Sequence, residues 1–496
     1  MMLANTVAAQ DSANLVSGIF QQQYGFYSME TLSQPLNKIS NYTHVEAGYR
    51  SKGGTFMQAQ DATKERTIFF NTQGTRQVKK YLVSGSFNYE QIKQDSVGYT
   101  LRYGLNDPAP NYLYAAAKGN WQITKYNLQG IVSRAVAKDK LLVGAGLTYD
   151  AHNAWRSNDP RPEYFFYLMD LDATLHYILR QGQSIGVEAG YIRKSTETTI
   201  NYRNKDYELS TSYPAFKSYL QYGYGFVRLN DNNFFKSQTQ GYKAKGIYRK
   251  VYNSGEGALK GGYTYTSSKF TVTPNRYELN GTIGWFYEKT WNGEAYWKHR
   301  QGNNIYSMVA NYIHHAGSDK NVFLNGNNYL YLHEQAGIAP IYAHIKNKFL
   351  QYELGLDARY HLLSRADGNA AECAVYKYAE VGAHGAYYFP TNNKGDFLKT
   401  RLNLGLFAPI ASLLQSPIQE PDFTKNVIYH DYYYYTAHSF SGGLDLQYQH
   451  AIKQVKTFLR MQANYQKANI EQGAIQAASL PGDNRWWWQC SVGVNL

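Results

Sequence analysis

The sequence predicts an all-β protein: a transmembrane antiparallel up-and-down β-barrel of about 18 strands, with about 16 as the alternative. Three observations support this prediction. Apolar and polar residues alternate in many segments of the 496-residue chain. Tight turns and long connections alternate along it. Aromatic residues make up 16% of the chain and 48 residues are Tyr, yet the mean hydropathy is −0.54.

The composition excludes one class of membrane protein and favours another. No stretch approaches the roughly 18 consecutive apolar residues that a transmembrane helix needs. A chain that is rich in Tyr and low in hydropathy is typical of a transmembrane barrel, because half of the strand residues in such a barrel face water.

The last residues show the alternation clearly. In RWWWQCSVGVNL, residues 485–496, the even-numbered residues are apolar and the odd-numbered residues are mostly polar or small. Successive side chains of a strand point to opposite faces, so this stretch is predicted to be a strand with one apolar face. The same pattern recurs at 141–150, 169–177, 185–191, 352–362, 401–408 and 459–466.

The connections between such segments fall into two lengths. Tight turns are predicted near residues 138, 182, 255, 292, 347 and 453. Longer connections are predicted at 153–163, 203–237, 302–327, 411–432 and 469–483. Short turns at one end and long loops at the other are the layout of an outer-membrane barrel, whose turns are periplasmic and whose loops are extracellular.

Strands phased by this rule number about 18, and an even number returns both chain ends to the periplasmic side. The last strand is predicted to pair with the first, since an open sheet edge is not tolerated in lipid. The strands are predicted at 42–56, 62–73, 78–92, 119–135, 140–152, 164–180, 184–202, 238–252, 258–272, 276–288, 293–303, 328–342, 348–363, 373–389, 398–410, 434–452, 455–468 and 484–496.

The first residues predict export. In MMLANTVAAQ, the small residues Val7, Ala8 and Ala9 fit a signal-peptidase site, so residues 1–9 are predicted to be the remaining end of a signal peptide. Residues 10–40 precede the barrel, which is predicted to occupy 41–496. They are predicted to enter the lumen or cover the periplasmic mouth, and they are far too short to be the plug domain of a TonB-dependent receptor.

The net charge of +13 is spread along the chain. A nucleic-acid partner is therefore not expected, and the charge is predicted to attract outer-membrane lipids and the phosphates of lipopolysaccharide. The two cysteines, Cys373 and Cys490, are too few for a disulfide framework or a structural zinc site. No cofactor is expected.

The alternation also predicts which charged side chains face the lumen. Both signs occur on the inward face, where they either order water in an open channel or form a paired network that fills the barrel. The predicted lumen-lining residues are Asp170, Asp172, Glu188, Glu353, Asp357, Arg359, Arg401, Asp445, Lys456 and Arg460.

Aromatic residues near two strand ends are predicted to form a girdle at the membrane surface, where amphipathic rings lie among lipid headgroups. The alternative for the tyrosine run is a stacking platform for sugars or other extracellular ligands. The predicted girdle residues are Trp486, Trp488, Tyr432, Tyr433, Tyr434 and Tyr435.

No catalytic residues are predicted, and the chain is not expected to be an enzyme. His176 and His361 lie on predicted lumen faces, but no G-x-S-x-G elbow accompanies them. A metal site that involves His314, His315 or His430 is not expected, because adjacent residues of an extended chain point to opposite sides.

Four motifs resemble those of a known family. They are GSFNYE at 85–90, WRSNDPRP at 155–162, FVRLNDNNFFKSQTQGYKAKG at 226–246 and RQGNNIY at 300–306. In this order they resemble an uncharacterised outer-membrane β-barrel family of Bacteroidota, a domain of unknown function. The resemblance implies an outer-membrane barrel in systems that accompany TonB-dependent uptake machinery. It implies no activity and no catalytic residues.

Three functions are compatible with these expectations. The first is an accessory or scaffold component of an outer-membrane uptake or assembly complex, which binds a TonB-dependent transporter or a surface lipoprotein through its loops and barrel wall. The second is a passive porin-like channel for polar solutes. The third is an outer-membrane enzyme. The resemblance favours the first.

Overall fold

The structure is a computed structural model of the chain. It describes residues 16–39, 41–104, 107–137, 140–180, 182–273, 281–347, 349–391, 396–416, 422–452 and 455–496. The predicted signal-peptide end at 1–9 and the first part of the predicted N-terminal segment, 10–15, lie outside the described residues. So do residues 276–280 of one predicted strand.

Eighteen strands form one sheet, and three short strands form a second one. The strands of the large sheet are β1 (Asn41–Gly54), β2 (Lys64–Val78), β3 (Tyr81–Val97), β5 (Gly119–Val136), β6 (Leu141–Arg156), β7 (Arg161–Arg180), β8 (Gln183–Asn201), β11 (Phe234–Tyr252), β12 (Gly255–Thr273), β13 (Thr282–Gln301), β14 (Asn304–Asn321), β15 (Tyr329–Lys346), β16 (Phe349–Asp367), β17 (Glu372–Pro390), β18 (Phe397–Gln415), β19 (His438–Ile452), β20 (Val455–Asn469) and β21 (Asn484–Asn495). The short strands are β4 (Tyr112–Tyr114), β9 (Tyr219–Gln221) and β10 (Val227–Leu229).

Few residues are helical. The α-helices are α1 (Gly18–Ser28), α2 (Lys205–Leu209) and α3 (Tyr429–Thr436), with 3-10 turns at Gln34–Leu36 and Pro214–Phe216 and a π-helical turn at Thr424–Ile428. Of the helices in the described part of the chain, none has the length and apolarity needed to cross a membrane.

The large sheet closes on itself. Neighbouring strands are antiparallel and follow chain order, and β21 pairs with β1 from Arg485 opposite Gly54 to Asn495 opposite His44. The Thr43 N–H donates to the Leu496 carbonyl at 3.1 Å, which extends the seam to the last residue. The predicted fold class, an up-and-down transmembrane β-barrel of 18 strands, is confirmed.

The longest connections lie at one end of the barrel, as predicted, and that end also has the four-residue links 157–160 and 368–371. Links such as 253–254 and 302–303 lie at the end where β1 begins and β21 finishes. Connections such as 98–118, 202–233 and 470–483 lie at the other end. The two ends are called the short-turn end and the long-loop end below.

One predicted turn and two predicted loops are wrong. The long connection predicted at 153–163 is only 157–160, because β6 extends to Arg156 and β7 begins at Arg161. The tight turn predicted near residue 292 lies within β13, where Gly293 is paired with Gly261 on one side and Tyr312 on the other. Pairing on both sides overrides the local turn signal of an Asn-Gly step. The loop predicted at 302–327 is instead β14 with a tight turn before it. The number of strands is nevertheless correct, because the false turn near 292 divides β13 into two predicted strands and the false loop at 302–327 omits β14.

The two faces of the barrel differ as the alternation predicts. Outward side chains are apolar and exposed, and Val187, Leu259 and Leu404 reach exposed fractions of 60%, 60% and 68%. Inward neighbours such as Glu188 and Lys260 are polar and buried. Exposed apolar rows are the surface that meets hydrocarbon in a membrane barrel.

The long loops fold over the barrel mouth. The sheet of β4, β9 and β10 packs with the π-helical turn and α3, and Leu113, Leu220 and Ile428 are buried together there with inward tyrosines of the barrel wall. The Asp431 carboxylate accepts the Ala59 N–H at 2.8 Å, and burial raises the pKa of this carboxyl group. The described loop residues therefore form a packed layer across this end.

Candidate functional site

The inner segment, residues 16–39, lies within the barrel at the short-turn end. The Ser17 hydroxyl accepts the Phe20 N–H at 3.0 Å and caps α1. The wall residues that contact this segment lie near the short turns. Only a segment inside the lumen reaches strands on so many sides, and its hydrogen bonds extend to β2, β3, β5, β7, β11, β12, β13, β14, β15, β16 and β18.

A carboxylate of the wall binds the first turn of α1. The Gly18 and Ile19 N–H groups donate to Glu353 at 3.2 and 3.4 Å, and the Tyr388 hydroxyl donates to the same carboxylate at 2.5 Å. A negative charge at a helix N-terminus is favourable because it satisfies free N–H groups and complements the helix dipole. Glycine leaves room for this close approach, because a Cβ at Gly18 would lie only 2.9 Å from Ile341 Cδ1.

Two ion-pair clusters hold the rest of the segment. Lys260 of β12 lies 2.8 Å from Glu30 of the inner segment and 2.8 Å from Glu294 of β13. Arg249 of β11 pairs with Glu256 at 2.5 Å and donates to the Leu36 carbonyl at 2.9 Å. We call the inward residues near the short turns of β11–β16 the docking wall.

The predicted lumen residues of β7 and β8 meet lysines of β11. The Lys243 ammonium lies 2.6 Å from Asp170 and 2.8 Å from Asp172, and Lys245 lies 3.7 Å from Glu188. These side chains form a paired network, which is one of the two arrangements considered for them. Their lysine partners were missed, although Lys243 and Lys245 follow the same inward phase along β11.

The remaining predicted lumen residues lie on β16–β20. Asp357 and Arg359 form a half-exposed pair at 3.0 Å. Asp445 accepts two hydrogen bonds from Arg460, at 3.0 and 2.6 Å. The others are Glu353, described above, Arg401, which donates to Asn403 at 2.9 Å, and Lys456, which follows the inward phase of β20.

A cavity of about 320 Å³ separates the inner segment from the opposite side of the lumen. Val16, Gly18 and Gln21 of the segment form one side of it. The other side is polar, with amides and three cations, and includes Asn71, Gln73, Asn88, Gln447, Asn495, Lys399, Arg401 and Arg460. We call the inward face of β18–β21 and β1 the cavity wall.

A second cavity lies further along the same strands toward the long-loop end. Its volume is about 450 Å³, and Asn464, Trp487 and Asp357 contribute to its lining. Asn464 and Gln462 are successive inward residues of β20, and Gln462 is paired with Asp445 and Gln489 in the row between the two cavities. The cavity wall therefore borders unfilled space along much of its length.

The predicted girdle residues of β21 are on the outward face. Trp486 and Trp488 share the outward phase with the exposed Val492, and the Trp488 ring lies 5.3 Å from that of Tyr49 on β1. Further outward aromatic contacts, which were not predicted, join the rings of Tyr89 and Tyr126, of Tyr191 and Tyr242, and of Tyr263 and Trp291. A search for one aromatic residue in the outward phase of each strand would have found them.

The tyrosine run at 432–435 does not begin a strand, so that part of the predicted strand 434–452 is wrong. These residues belong to α3, and β19 begins only at His438. Tyr433 is 2% exposed, and the rings of Tyr434 and Tyr435 lie 4.8 Å from Phe56 and 4.6 Å from Tyr376. Tyr432 packs against the same cluster. The four rings pack into the loop layer and not onto the outward face.

The histidines make separate contacts. His314 and His315 bind Glu334 and Glu288 at 2.8 and 2.9 Å, on opposite faces of β14. His430 lies 3.0 Å from the Met57 carbonyl. In the described part of the chain, no group of three or more His, Cys, Asp or Glu side chains is arranged to hold a metal ion.

Solved receptor structures are similar to this chain at low sequence identity. The ferric preacinetobactin receptor BauA from Acinetobacter baumannii has 8% identity and a TM-score of 0.39, over 92% of this chain and 80% of that one. The siderophore receptor PirA from the same organism has 8% identity and a TM-score of 0.40, over 92% and 81%. Similarity at this level concerns the fold alone.

The family assignment comes from the sequence. None of the curated proteins matches this chain. Residues 31–496, which include the end of the inner segment and the whole barrel, match a family described as "Family of unknown function (DUF6850)". The chain belongs to this family of unknown function.

Proposed function

We propose that this chain is an outer-membrane barrel that serves as an accessory or scaffold component of an uptake or assembly complex. Its short turns would face the periplasm and its long loops the outside. The observation that carries the proposal is that the lumen is crossed by the inner segment at one end and covered by packed loops at the other. A wide barrel filled in this way suits a structural or docking role better than free diffusion.

The loops offer a surface for a partner protein. Leu209 and Phe323 have exposed fractions of 77% and 57%, and Leu229 and Val322 are exposed as well. They lie in loops at the long-loop end, and Arg228 stacks over the Phe323 ring at 4.1 Å. The Phe226 ring lies 6.3 Å from that of Phe323, so apolar side chains are grouped around Phe323, and such groups in water are typical of protein interaction sites. A TonB-dependent transporter or a surface lipoprotein is the partner class that we propose, with membrane lipid around the barrel.

Site-specific photocrosslinking in native membranes tests this proposal. A photoreactive residue at Phe323 or Leu229 is expected to give one discrete adduct with another protein. The same residue at Val78, an exposed position at the short-turn end, is the matched control and is expected to give none. Absence of a loop adduct, or equal adducts from all three positions, would contradict docking through the loops.

A channel for polar solutes is the second candidate, and the two cavities along the cavity wall favour it. Conductance in planar bilayers separates the two functions. The scaffold proposal expects the intact protein to be electrically silent. A variant that lacks residues 16–38 is expected to conduct if the inner segment is the main obstruction, and heat-modifiable migration in gels shows whether this variant is folded. Stable currents through the intact protein would favour the channel. No catalytic role is proposed.

A further inference from the structure

A group of cations lies on the outward face of β8 and β11–β14. Arg193, Lys269, Lys289 and Lys320 are exposed. Among the described residues, none of these four forms an ion pair, whereas their neighbour Lys236 lies 2.7 Å from Glu197. The outward face of these strands therefore carries an excess of positive charge.

The inward face of the same strands is built differently. Lys243, Lys245 and Lys260 each lie within ion-pair distance of a carboxylate, as does Arg249. Within the described part of the chain, counter-charges are thus present inside the barrel, whereas the four outward cations have none. A cation at a membrane surface is stabilised when an anionic lipid group supplies the missing charge.

Aromatic residues indicate where two of these cations lie relative to the membrane surface. The rings of Tyr191 and Tyr242 lie 5.5 Å apart and those of Tyr263 and Trp291 4.5 Å apart, on the outward face. Such rings mark the headgroup region of a bilayer. Arg193 is the next outward residue after Tyr191, and Lys289 the next after Trp291 toward the long-loop end. Each lies about 7 Å along its strand from the ring-bearing residue.

The other two cations lie further from the aromatic row. Lys269 and Lys320 are both paired with Trp285, on its two sides, and the Lys320 ammonium lies 5.9 Å from the Trp285 ring. Lys269 is three outward positions beyond Tyr263, about 20 Å along β12. A phospholipid has its phosphate at one level only, whereas a phosphorylated glycolipid carries anionic groups in its headgroup and in the sugars above it.

We propose that the outward face of β8 and β11–β14 binds a phosphorylated glycolipid of the lipopolysaccharide type. Arg193 and Lys289 contact phosphates beside the aromatic row, and Lys269 and Lys320 contact anionic groups of the sugar region. This inference rests on the proposed outer-membrane location with the long loops outside, and it adds a lipid site on the barrel wall, next to the partner surface at Val322 and Phe323.

The test compares two variants with four charges removed. The site variant carries Arg193→Gln, Lys269→Gln, Lys289→Gln and Lys320→Gln. The control variant carries Lys79→Gln, Lys80→Gln, Lys140→Gln and Lys250→Gln, all exposed at the short-turn end. Native mass spectrometry of the full chain in detergent measures binding of rough lipopolysaccharide, of the same lipid after dephosphorylation, and of phosphatidylglycerol.

The wild type and the control variant are expected to retain lipopolysaccharide, and the site variant to bind it at least about tenfold more weakly. Dephosphorylated lipid is expected to bind weakly to all three proteins. Equal binding by both variants would overturn the proposal, as would phosphatidylglycerol binding as tight as that of lipopolysaccharide. The crosslinking from Phe323 is independent, so a missing partner adduct with lipid binding intact would reject the scaffold function alone.

Discussion

The two sides of the lumen use inward-facing polar residues in opposite ways. On the docking wall, charged side chains bind the inner segment: Glu353 binds the start of α1, Lys260 pairs with Glu30, and Arg249 binds the Leu36 carbonyl. On the cavity wall, Lys399 donates to the Val16 carbonyl at 3.0 Å and the Tyr42 ring lies 4.7 Å from that of Tyr24. Other inward polar residues of this wall, such as Gln447 and Asn495, line a cavity of about 320 Å³. One alternation therefore produces a surface with many ionic contacts to the segment on one side and a surface that borders a cavity on the other.

This difference indicates which contacts contribute most to the stability of the closed lumen. Buried charges are tolerated only when they are paired, so each ionic contact of the docking wall depends on its partner. Partly exposed amides that face a cavity, such as Asn464, keep access to solvent, and they depend on no single partner. Substitutions of similar size are therefore expected to differ strongly in effect between the two walls.

The largest effect is expected from Glu256→Gln, which leaves Arg249 buried without its carboxylate. Loss of one partner of a buried ion pair costs about 3–5 kcal/mol of the free energy of unfolding. The matched control is Asp357→Asn, whose half-exposed pair with Arg359 faces the second cavity and contributes about 1 kcal/mol at most. Urea unfolding in lipid bilayers, followed by Trp fluorescence, measures both changes. Similar changes for the two variants would remove the energetic contrast between a buried ion pair and a half-exposed one.

A smaller effect is expected from Glu353→Gln, which weakens binding of the α1 N-terminus without removing the side chain. Hydrogen bonds to a charged group contribute about 1.5–3 kcal/mol, so local opening of residues 16–28 is expected to become about tenfold to hundredfold more frequent. Hydrogen exchange of that helix measures it. The prediction fails if exchange stays at the wild-type rate, because α1 would then be held by packing alone.

A carboxylate also binds a chain segment at the long-loop end, where Asp159 holds the start of the loop at 203–217. Its pH dependence offers a further comparison with the ionic contacts of the docking wall. Asp159 accepts the N–H groups of Arg203 and Asn204 and pairs with Arg161 at 2.9 Å. Burial alone would raise the pKa of Asp159, but these hydrogen bonds and the Arg161 charge lower it below the ordinary value. The depressed pKa stabilises the folded loop above the unfolded pKa, and this contribution is lost as the pH falls through the folded pKa.

Loop opening is therefore expected below pH about 4, the ordinary range of an Asp side chain. Asp159→Asn is expected to cost about 1 kcal/mol at neutral pH and to remove the acid dependence, since the amide oxygen still accepts one hydrogen bond. Limited proteolysis at 203–217 with an acid-tolerant protease measures both. An unchanged acid response in the variant would assign the titration to another group.

The sequence allowed the barrel to be predicted because a two-residue period depends only on which residues are apolar. It failed where local signals conflict with long-range pairing, as at Gly293, which has the signature of a turn and lies inside β13. It failed again at Tyr432–Tyr435, since aromatic residues fit a strand end and a packed helix equally well. The inward phase of Asp172 and Glu188 could be predicted, but their partners on β11 depend on which strands are neighbours. The inner segment was predicted to enter the lumen or cover its mouth, but the wall residues that bind it depend on three-dimensional closure.

The smallest effect is expected on the cavity wall. Asn464→Ala removes a partly exposed inward amide of β20 that lines the second cavity, and it leaves no buried charge unpaired. Its cost is expected to stay within about 0.5 kcal/mol, the range of substitutions away from packed or paired sites. Hydrogen exchange of residues 16–28 is expected to match the wild type. A loss comparable to that of Glu353→Gln would mean that the cavity-facing amides also hold the inner segment. Wild-type exchange in Asn464→Ala together with faster exchange in Glu353→Gln would show that the charged contact at Glu353 holds α1 and that the cavity-facing amide does not.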